Sequence, residues 1–131
     1  MKGSVANPLV LITRFFQLVS ERKFAEAERV LERVKARMEK SEQKEFNRGY
    51  IAALNGIILT SKSGNENSYE FFANLNLKDI NVLKKHYRDF LENSKNRFFA
   101  DYDRGYFAAL CDYMRVVIKS AENRGTVEKA G

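Results

Sequence analysis

One nine-residue phrase occurs twice in this chain of 131 residues. Residues 46–54 read FNRGYIAAL and residues 102–110 read YDRGYFAAL, so the offset is 56 residues and six of the last seven positions are identical. A match of this kind at a fixed offset indicates an internal duplication. The sequence therefore predicts two copies of one helical unit, which constrains the fold but not the function.

Apolar residues three or four positions apart predict an all-α fold, a helical bundle of about five helices that contains the duplicated helix pair. The expected helices cover residues 8–19, 45–61 and 101–121, with two more whose apolar stripes run from the cap Ser20 to Met38 and from the cap Asn76 to Leu91, and a short further segment at 69–75. Asn7, Ser20 and Asn76 are the expected N-caps of three of them, because their side chains can accept a backbone N–H. No Gly or Pro separates Met38 from Glu45, so a hairpin and one long bent helix are both open there.

The length fits one helical domain over residues 1–131. Its expected parts are an N-terminal helix (1–19), a first helix-pair unit (20–62), a linker and short helix (63–75), a second helix-pair unit (76–121) and a flexible tail (122–131). The apolar frame of the two units matches at the 56-residue offset, whereas their surface charges do not.

The repeated phrase contains a glycine inside a predicted helix, which costs about 1 kcal/mol relative to alanine. Small residues four apart let a second helix approach closely, and tyrosine can then span the core and place its hydroxyl at the edge. We therefore expect two related helices that cross at their glycines. The residues of this crossing are Gly49, Tyr50, Ala53, Gly105, Tyr106 and Ala109.

Packing explains the repeated arginines, Arg48 and Arg104, less well than the other positions of the phrase. The structural interpretation is an ion pair with an acid one turn back, Glu45 or Asp101. The functional interpretation is a pair of guanidinium groups that hold a phosphate or carboxylate. We favour the ion pairs, because exposed arginines near acids are common.

Basic residues on two other helices support an alternative function in nucleic-acid binding. The net charge is +6 and the pI is about 9.5, which favours polyanionic partners. The candidate contacts are Arg29, Arg33 and Arg37 on one helix and Lys84, Lys85 and Arg88 on another. Glutamates are interleaved with the first group, and a mixed-charge helix face of this kind is usually only solvated.

Nothing in the sequence points to catalysis, and we expect neither an enzyme nor a cofactor. His86 is the single histidine and Cys111 the single cysteine, so no spacing of metal ligands is present. A lone cysteine beside leucine on a helix is more often packed than nucleophilic. The single cysteine and the short apolar run near the start predict a cytoplasmic protein without a membrane partner.

Adjacent phenylalanines favour an interaction module that binds a protein partner or forms a homo-oligomer. The pairs Phe15-Phe16, Phe71-Phe72 and Phe98-Phe99 cannot all point into one core from single helices. Some of these rings are therefore expected at element ends or on a surface that a partner covers.

The segment Phe24-Ala25-Glu26-Ala27, which leads into a long amphipathic stretch, resembles the helix pairs of tetratricopeptide-type repeats. The Gly-Tyr-x-Ala-Ala-Leu phrase resembles them as well. That family binds peptides or partner proteins in a concave groove, and its repeats span about 34 residues in three or more copies. Two copies at an offset of 56 residues depart from that pattern, so no residue roles are transferred.

Overall fold

The computed structural model describes the backbone of residues 8–63 and 79–130 and the side chains of residues 9–62 and 79–123. These residues form five α-helices and no strand, which confirms the predicted all-α fold. The helices are α1 (Pro8–Ser20), α2 (Phe24–Met38), α3 (Lys44–Ser63), α4 (Ile80–Ser94) and α5 (Asp101–Ala130). Beyond Ser63, the predicted linker and short helix lie outside the described residues, as do Asn7 and Asn76.

α1 ends in a tight turn that also sets the start of α2. The N–H of Lys23 donates to the carbonyl of Leu18 (2.9 Å) and the N–H of Arg22 donates to Val19 (3.0 Å). This is the Schellman pattern, in which one residue adopts a left-handed conformation to close the helix. That residue is Arg22, with φ of 61°, in a region that glycine occupies more readily.

The prediction that Ser20 caps the second helix is wrong. Ser20 is the last residue of α1, and its hydroxyl donates to the carbonyl of Gln17 (2.9 Å). α2 begins three residues later than that cap would place it, after Lys23, whose side chain makes no capping hydrogen bond. Residues 21–23, which the predicted cap would place in the first turn of α2, form instead the turn that ends α1.

α2 and α3 form an antiparallel hairpin. At one end the side chain of Asn47 donates to the carbonyl of Met38 (3.1 Å), and at the other Lys62 pairs with Glu28 (2.9 Å). A turn at residues 39–43 thus separates the helices, although no Gly or Pro marks it. α2 packs mainly on α1, and its buried residues recur at the spacing of three or four positions from which the helix was predicted. These residues are Ala27, Val30, Leu31 and Val34.

α4 and α5 form the second antiparallel pair. The rings of Phe90 and Phe107 stack at 6.3 Å near one end, and Lys84 lies 3.5 Å from Glu122 toward the other. The N-cap of α4 is Asp79, whose carboxylate accepts the N–H of Val82 (3.2 Å). This corrects the expectation of a cap at Asn76, because the helix begins at Ile80.

α5 is longer than predicted. The sequence suggested a flexible tail at residues 122–131, whereas the helix continues to Ala130. The only proline of the chain is Pro8, so no residue after Ala121 lacks a backbone donor. Alanine, glutamate, arginine and lysine in this segment favour the helix, which outweighs the cost of one glycine.

α3 and α5 approach so closely that their backbones touch. A Cβ atom on Gly49 would overlap the carbonyl of Tyr102, and a Cβ atom on Gly105 would overlap the carbonyl of Phe46. The contact is reciprocal, because Phe46 and Tyr102 occupy the same position in the two copies of the phrase. Cα–H groups that face carbonyl oxygens in this way recur at close helix crossings.

α1 contributes one fully apolar face to the core and keeps the other face exposed. Phe15 and Phe16 are 0% and 2% exposed, although they are neighbours on one helix. Their burial corrects the expectation that adjacent phenylalanines cannot both point into a core. α1 packs on α2 and also on α5, where the rings of Phe16 and Tyr113 lie 5.1 Å apart, so two helices share the covering of its apolar face.

Candidate functional site

Both repeated arginines form ion pairs with the acids one turn back. A guanidinium nitrogen of Arg48 lies 2.9 Å from the Glu45 carboxylate, and Arg104 pairs with Asp101 in the equivalent way. The paired acids are also equivalent at the 56-residue offset. The geometry thus favours the structural interpretation of these arginines over an anion site, since each charge is already balanced on its own helix.

The repeated tyrosines lie in different surroundings. The hydroxyl of Tyr50 donates to Asp112 Oδ2 (2.5 Å), and Arg115 binds the other carboxylate oxygen of Asp112 (3.0 Å). Burial is the largest cause, and the Asp112 carboxylate the second, that raises the pKa of Tyr50 far above its ordinary value. Tyr106 is partly buried, and at its offset the counterpart of Asp112 is Gly56.

This Tyr50–Asp112–Arg115 cluster therefore has no counterpart at the 56-residue offset. The sequence predicts the tyrosine hydroxyl at the edge of the core but does not predict its acceptor. The available signal was the difference between Asp112 and Gly56, because an acid that only one copy carries is not required by the shared packing. The cluster satisfies its own hydrogen bonds, so its role is to join α3 to α5.

The remaining members of the predicted crossing are small buried residues. Ala53 and Ala109 are 1% and 0% exposed. Each lies four residues after a crossing glycine and on the same side of its helix. The close approach of the two backbones is thus extended over a further turn of α3 and α5.

The basic residues of α2 are spread over a mixed-charge surface. Arg29 and Arg33 are exposed, and within the described residues neither forms an ion pair. Arg37 is partly buried. Lys35 pairs with Glu32 (3.5 Å), which lies between the arginines along the helix. A phosphate backbone at this face would meet both signs of charge.

The basic cluster of α4 is largely balanced by acids. Lys84 pairs with Glu122 and Lys85 pairs with Asp89, each at 3.5 Å. Arg88 is exposed and has no ion pair in the part of the chain that the structure describes. Such surface pairs are weak, but they lower the local positive potential that nucleic-acid binding needs.

The single cysteine contacts a neighbouring helix, and the single histidine packs on a ring of its own helix. Cys111 is buried, its sulfur faces the carbonyl of Tyr87 at 3.8 Å, and burial raises the pKa of the thiol. The ring of His86 stacks on Phe90 at 6.1 Å. Within the described residues no group of three or more His, Cys, Asp or Glu side chains is placed to hold a metal ion.

A projecting aromatic ring marks the turn between α4 and α5. Phe98 is 95% exposed, the highest value among the large apolar residues whose exposure the structure describes. Its N–H donates to Asn96 Oδ1 (2.9 Å), and the N–H of Phe99 donates to the Asn96 carbonyl (3.2 Å). The ring of Phe99 packs on Phe107 at 5.6 Å. The turn is therefore anchored while Phe98 faces solvent.

Of the two adjacent phenylalanine pairs that the structure describes, Phe98-Phe99 behaves as the sequence suggested and Phe15-Phe16 does not. Phe98 lies at an element end and is exposed, while Phe99 is partly buried. Phe71 and Phe72 lie outside the described residues. Other exposed apolar side chains are Leu9, Val10, Leu59 and Val82, which belong to three different helices.

None of the helices among the described residues combines the length and the apolar character that crossing a bilayer requires. Comparisons with protein-family models, with curated proteins and with solved structures found no match. The resemblance to tetratricopeptide-type repeats is therefore confined to the short segments that suggested it.

Proposed function

We propose that this protein is a non-catalytic helical interaction module that binds another protein molecule, either a different protein or a second copy of the chain. The observation that carries the proposal is the anchored and fully projecting ring of Phe98. An exposed aromatic side chain on an ordered turn loses little entropy on binding, which is typical of residues that contribute strongly to protein interfaces.

The surroundings of Phe98 support a protein partner over a polyanion. Lys95 and Arg97 precede Phe98 in its turn, and the turn between α2 and α3, which the glycine crossing places at the same end, carries Glu39, Lys40 and Glu42. An apolar centre with a rim of both charges matches the anatomy of protein interfaces. The expected cytoplasmic location and the absence of a membrane partner remain part of this proposal, and they rest on the sequence.

The surroundings of Cys111 and His86 support a non-catalytic function. Burial raises the pKa of Cys111 and so disfavours its thiolate, which is the nucleophilic form. His86 stacks on a neighbouring ring. Neither environment resembles that of an activated nucleophile or base.

Photo-crosslinking tests the proposal directly. A benzoylphenylalanine in place of Phe98 is expected to form protein adducts in cells that express the full chain, because the ring lies in the interface. The same probe in place of Leu59, which is 59% exposed on α3, serves as the matched control. An equal yield of protein adducts at both positions, or none at Phe98, would refute a function through this surface.

The alternative function is a nucleic-acid-binding accessory role, supported by the unpaired and exposed Arg29 and Arg33 among the described residues. It predicts binding to short RNA or DNA that weakens steeply with salt and is lost in Arg29→Glu plus Arg33→Glu. Fluorescence anisotropy at two salt concentrations measures this. Binding of this kind without any protein adduct at Phe98 would replace the primary proposal.

A further inference from the structure

Residues 21–23 form the hinge between α1 and α2, and the helix is broken there by the backbone of two residues. Arg22 has a φ of 61° and Lys23 a ψ of 68°, neither of which is helical. From Leu9 to Met38 the chain contains no glycine or proline. The residues of the hinge are all accepted within helices, so their propensity alone would join α1 to α2.

The left-handed conformation of Arg22 is strained, because the Cβ atom of an L-residue then lies too close to the following carbonyl oxygen. Two contacts of its guanidinium group offset part of this strain. One nitrogen donates to the carbonyl of Ser61 (3.3 Å), and the group lies 5.1 Å from the centre of the Phe24 ring. The folded-back hinge thus balances backbone strain against side-chain contacts.

A continuous helix in place of α1 and α2 would keep the backbone hydrogen bonds of the hinge. The N–H of Arg22 would move its bond from the carbonyl of Val19 to that of Leu18, four residues back. The N–H of Lys23 would make the reverse change, from Leu18 to Val19. Val19 and Ala27 are both buried and lie eight positions apart, close to two helical turns. The apolar faces of α1 and α2 would therefore stay on one side of the long helix.

Straightening the hinge would carry α1 away from the rest of its own chain. Phe15, Phe16 and Leu18 are each no more than 2% exposed, and α1 packs on α2 and α5. An apolar face of this kind is stable only when it is covered. The site that α1 would leave on α2 and α5 is complementary to α1 itself, so the segment that fits both requirements is α1 of another molecule.

We infer that this protein exchanges α1 between two copies. In the exchanged dimer, α1 and α2 of each copy form one long helix, and α1 packs on α2 and α5 of the other copy. An exchanged element makes the same contacts that it makes within one chain, and a short hinge under strain favours the exchange. The inference concerns α1 and its hinge, not the surface around Phe98, so it goes beyond the proposed function.

The exchange is slow between folded molecules, because α1 must leave one core before it enters another. Moderate urea increases the population in which α1 is released. We therefore expect incubation at high protein concentration in moderate urea, followed by removal of the urea, to produce a dimer that persists when the protein is diluted.

Two variants of one hinge residue test the role of backbone strain. Arg22→Ala and Arg22→Gly both remove the contacts with Ser61 and Phe24, but only glycine accepts the left-handed conformation freely, and glycine also disfavours the continuous helix. After equilibration in moderate urea, sedimentation velocity should give Arg22→Ala a dimerisation constant at least about tenfold above that of Arg22→Gly. Equal constants, the reverse order, or a monomeric Arg22→Ala at every concentration would overturn the inference.

Ala36→Gly is the matched control for the glycine substitution. Ala36 is exposed in the regular part of α2, which is helical both in the monomer and in the exchanged dimer. The variant should therefore dimerise as the wild type does. A loss of dimer equal to that of Arg22→Gly would show that the effect does not come from the hinge.

The distance between α1 and α2 within one chain identifies the exchanged form. Spin labels on Arg14→Cys and Arg33→Cys, two exposed positions, measure it on a Cys111→Ala background with an excess of unlabelled chain. In a continuous helix the two Cα atoms are about 28 Å apart. We expect this distance in the Arg22→Ala dimer and a shorter one in the monomer, where the two helices pack side by side. A dimer that shows only the monomer distance would refute the exchange of α1.

This inference and the proposed function fail independently. Protein adducts at Phe98, together with a monomeric Arg22→Ala variant, would leave the interaction module standing and refute the exchange. The long intrachain distance in a dimer, without any adduct at Phe98, would support the exchange and refute a function through the surface around Phe98.

Discussion

At the scale of single residues, the two glycines of the repeated phrase are constrained alike, whereas the two tyrosines are not. Gly49 and Gly105 face a carbonyl of the other helix and have no room for a side-chain carbon. Tyr50 has a carboxylate acceptor, and the counterpart position of that acceptor is a glycine in the other half. The nine-residue phrase is repeated in the sequence, but the residues that surround its tyrosine differ between the two positions.

Gly49→Ala should destabilise the fold by about 3 kcal/mol, because the new methyl group would overlap the Tyr102 carbonyl and force the two helices apart. In an unconstrained helix the same change would stabilise by about 1 kcal/mol, so the sign of the effect is diagnostic. Urea denaturation measures it. Gly105→Ala should behave alike, since the contact is reciprocal.

Leu59→Ala is the control for this prediction, because Leu59 is exposed on the same helix and should change stability by less than about 0.5 kcal/mol. If Gly49→Ala were as stable as the wild type or more stable, the close crossing of α3 and α5 would be disproved.

At the scale of helices, the sequence predicts the elements well and their ends less well. The buried faces of α2 and α3 follow from the spacing of their apolar residues, because any helix that buries one face has apolar residues three or four positions apart. The end of α1 does not, since Arg22 takes the left-handed position that glycine usually marks. The continuation of α5 to Ala130 was missed because the last residues of a chain are usually poorly ordered, and residues 122–131 were expected to follow that rule.

The burial of both Phe15 and Phe16 on α1 was also missed. Periodicity shows which side of a helix is apolar, but it does not show how many neighbours cover that helix. α1 has α2 on one side and α5 on another, so two adjacent phenylalanines are both buried. The glycine crossing could be expected from sequence, whereas the Asp112 acceptor of Tyr50 depends on the relative placement of two helices.

Phe15→Ala should therefore cost about 4 kcal/mol of folding free energy, as expected for a fully buried ring whose cavity cannot close. Phe15→Leu keeps much of the volume and should cost about 1.5 kcal/mol. Val10→Ala, at an exposed position on the same helix, should be nearly neutral. Thermal and urea unfolding rank the three variants, and equal stability of Phe15→Ala and Val10→Ala would exclude a central position for α1.

At the scale of the whole molecule, three buried acidic protons couple the packing of the bundle to pH. Tyr50 joins α3 to α5, Tyr113 lies against α1, and Cys111 faces α4. Burial raises the pKa of all three groups in the folded state. The folded protein therefore holds these protons more tightly than the unfolded chain does.

The sign of the pH dependence follows from this difference. The contribution of each group is complete below its ordinary pKa, 9.0 for the thiol and 10.0 for the tyrosines, and it is lost as the pH rises above that value. Above pH 10 the unfolded state releases protons that the folded state keeps. Stability should then fall by up to about 1.4 kcal/mol per pH unit for each group.

Tyr50→Phe separates the share of one group from the rest. The variant should be less stable than the wild type at neutral pH by about 2 kcal/mol, because Asp112 loses a hydrogen-bond donor. Above pH 10 its stability should fall less steeply, by up to about 1.4 kcal/mol per pH unit, so the two curves converge. Urea denaturation from pH 7 to 11 measures both effects, and parallel curves above pH 10 would show that the Tyr50 proton is not held by the fold.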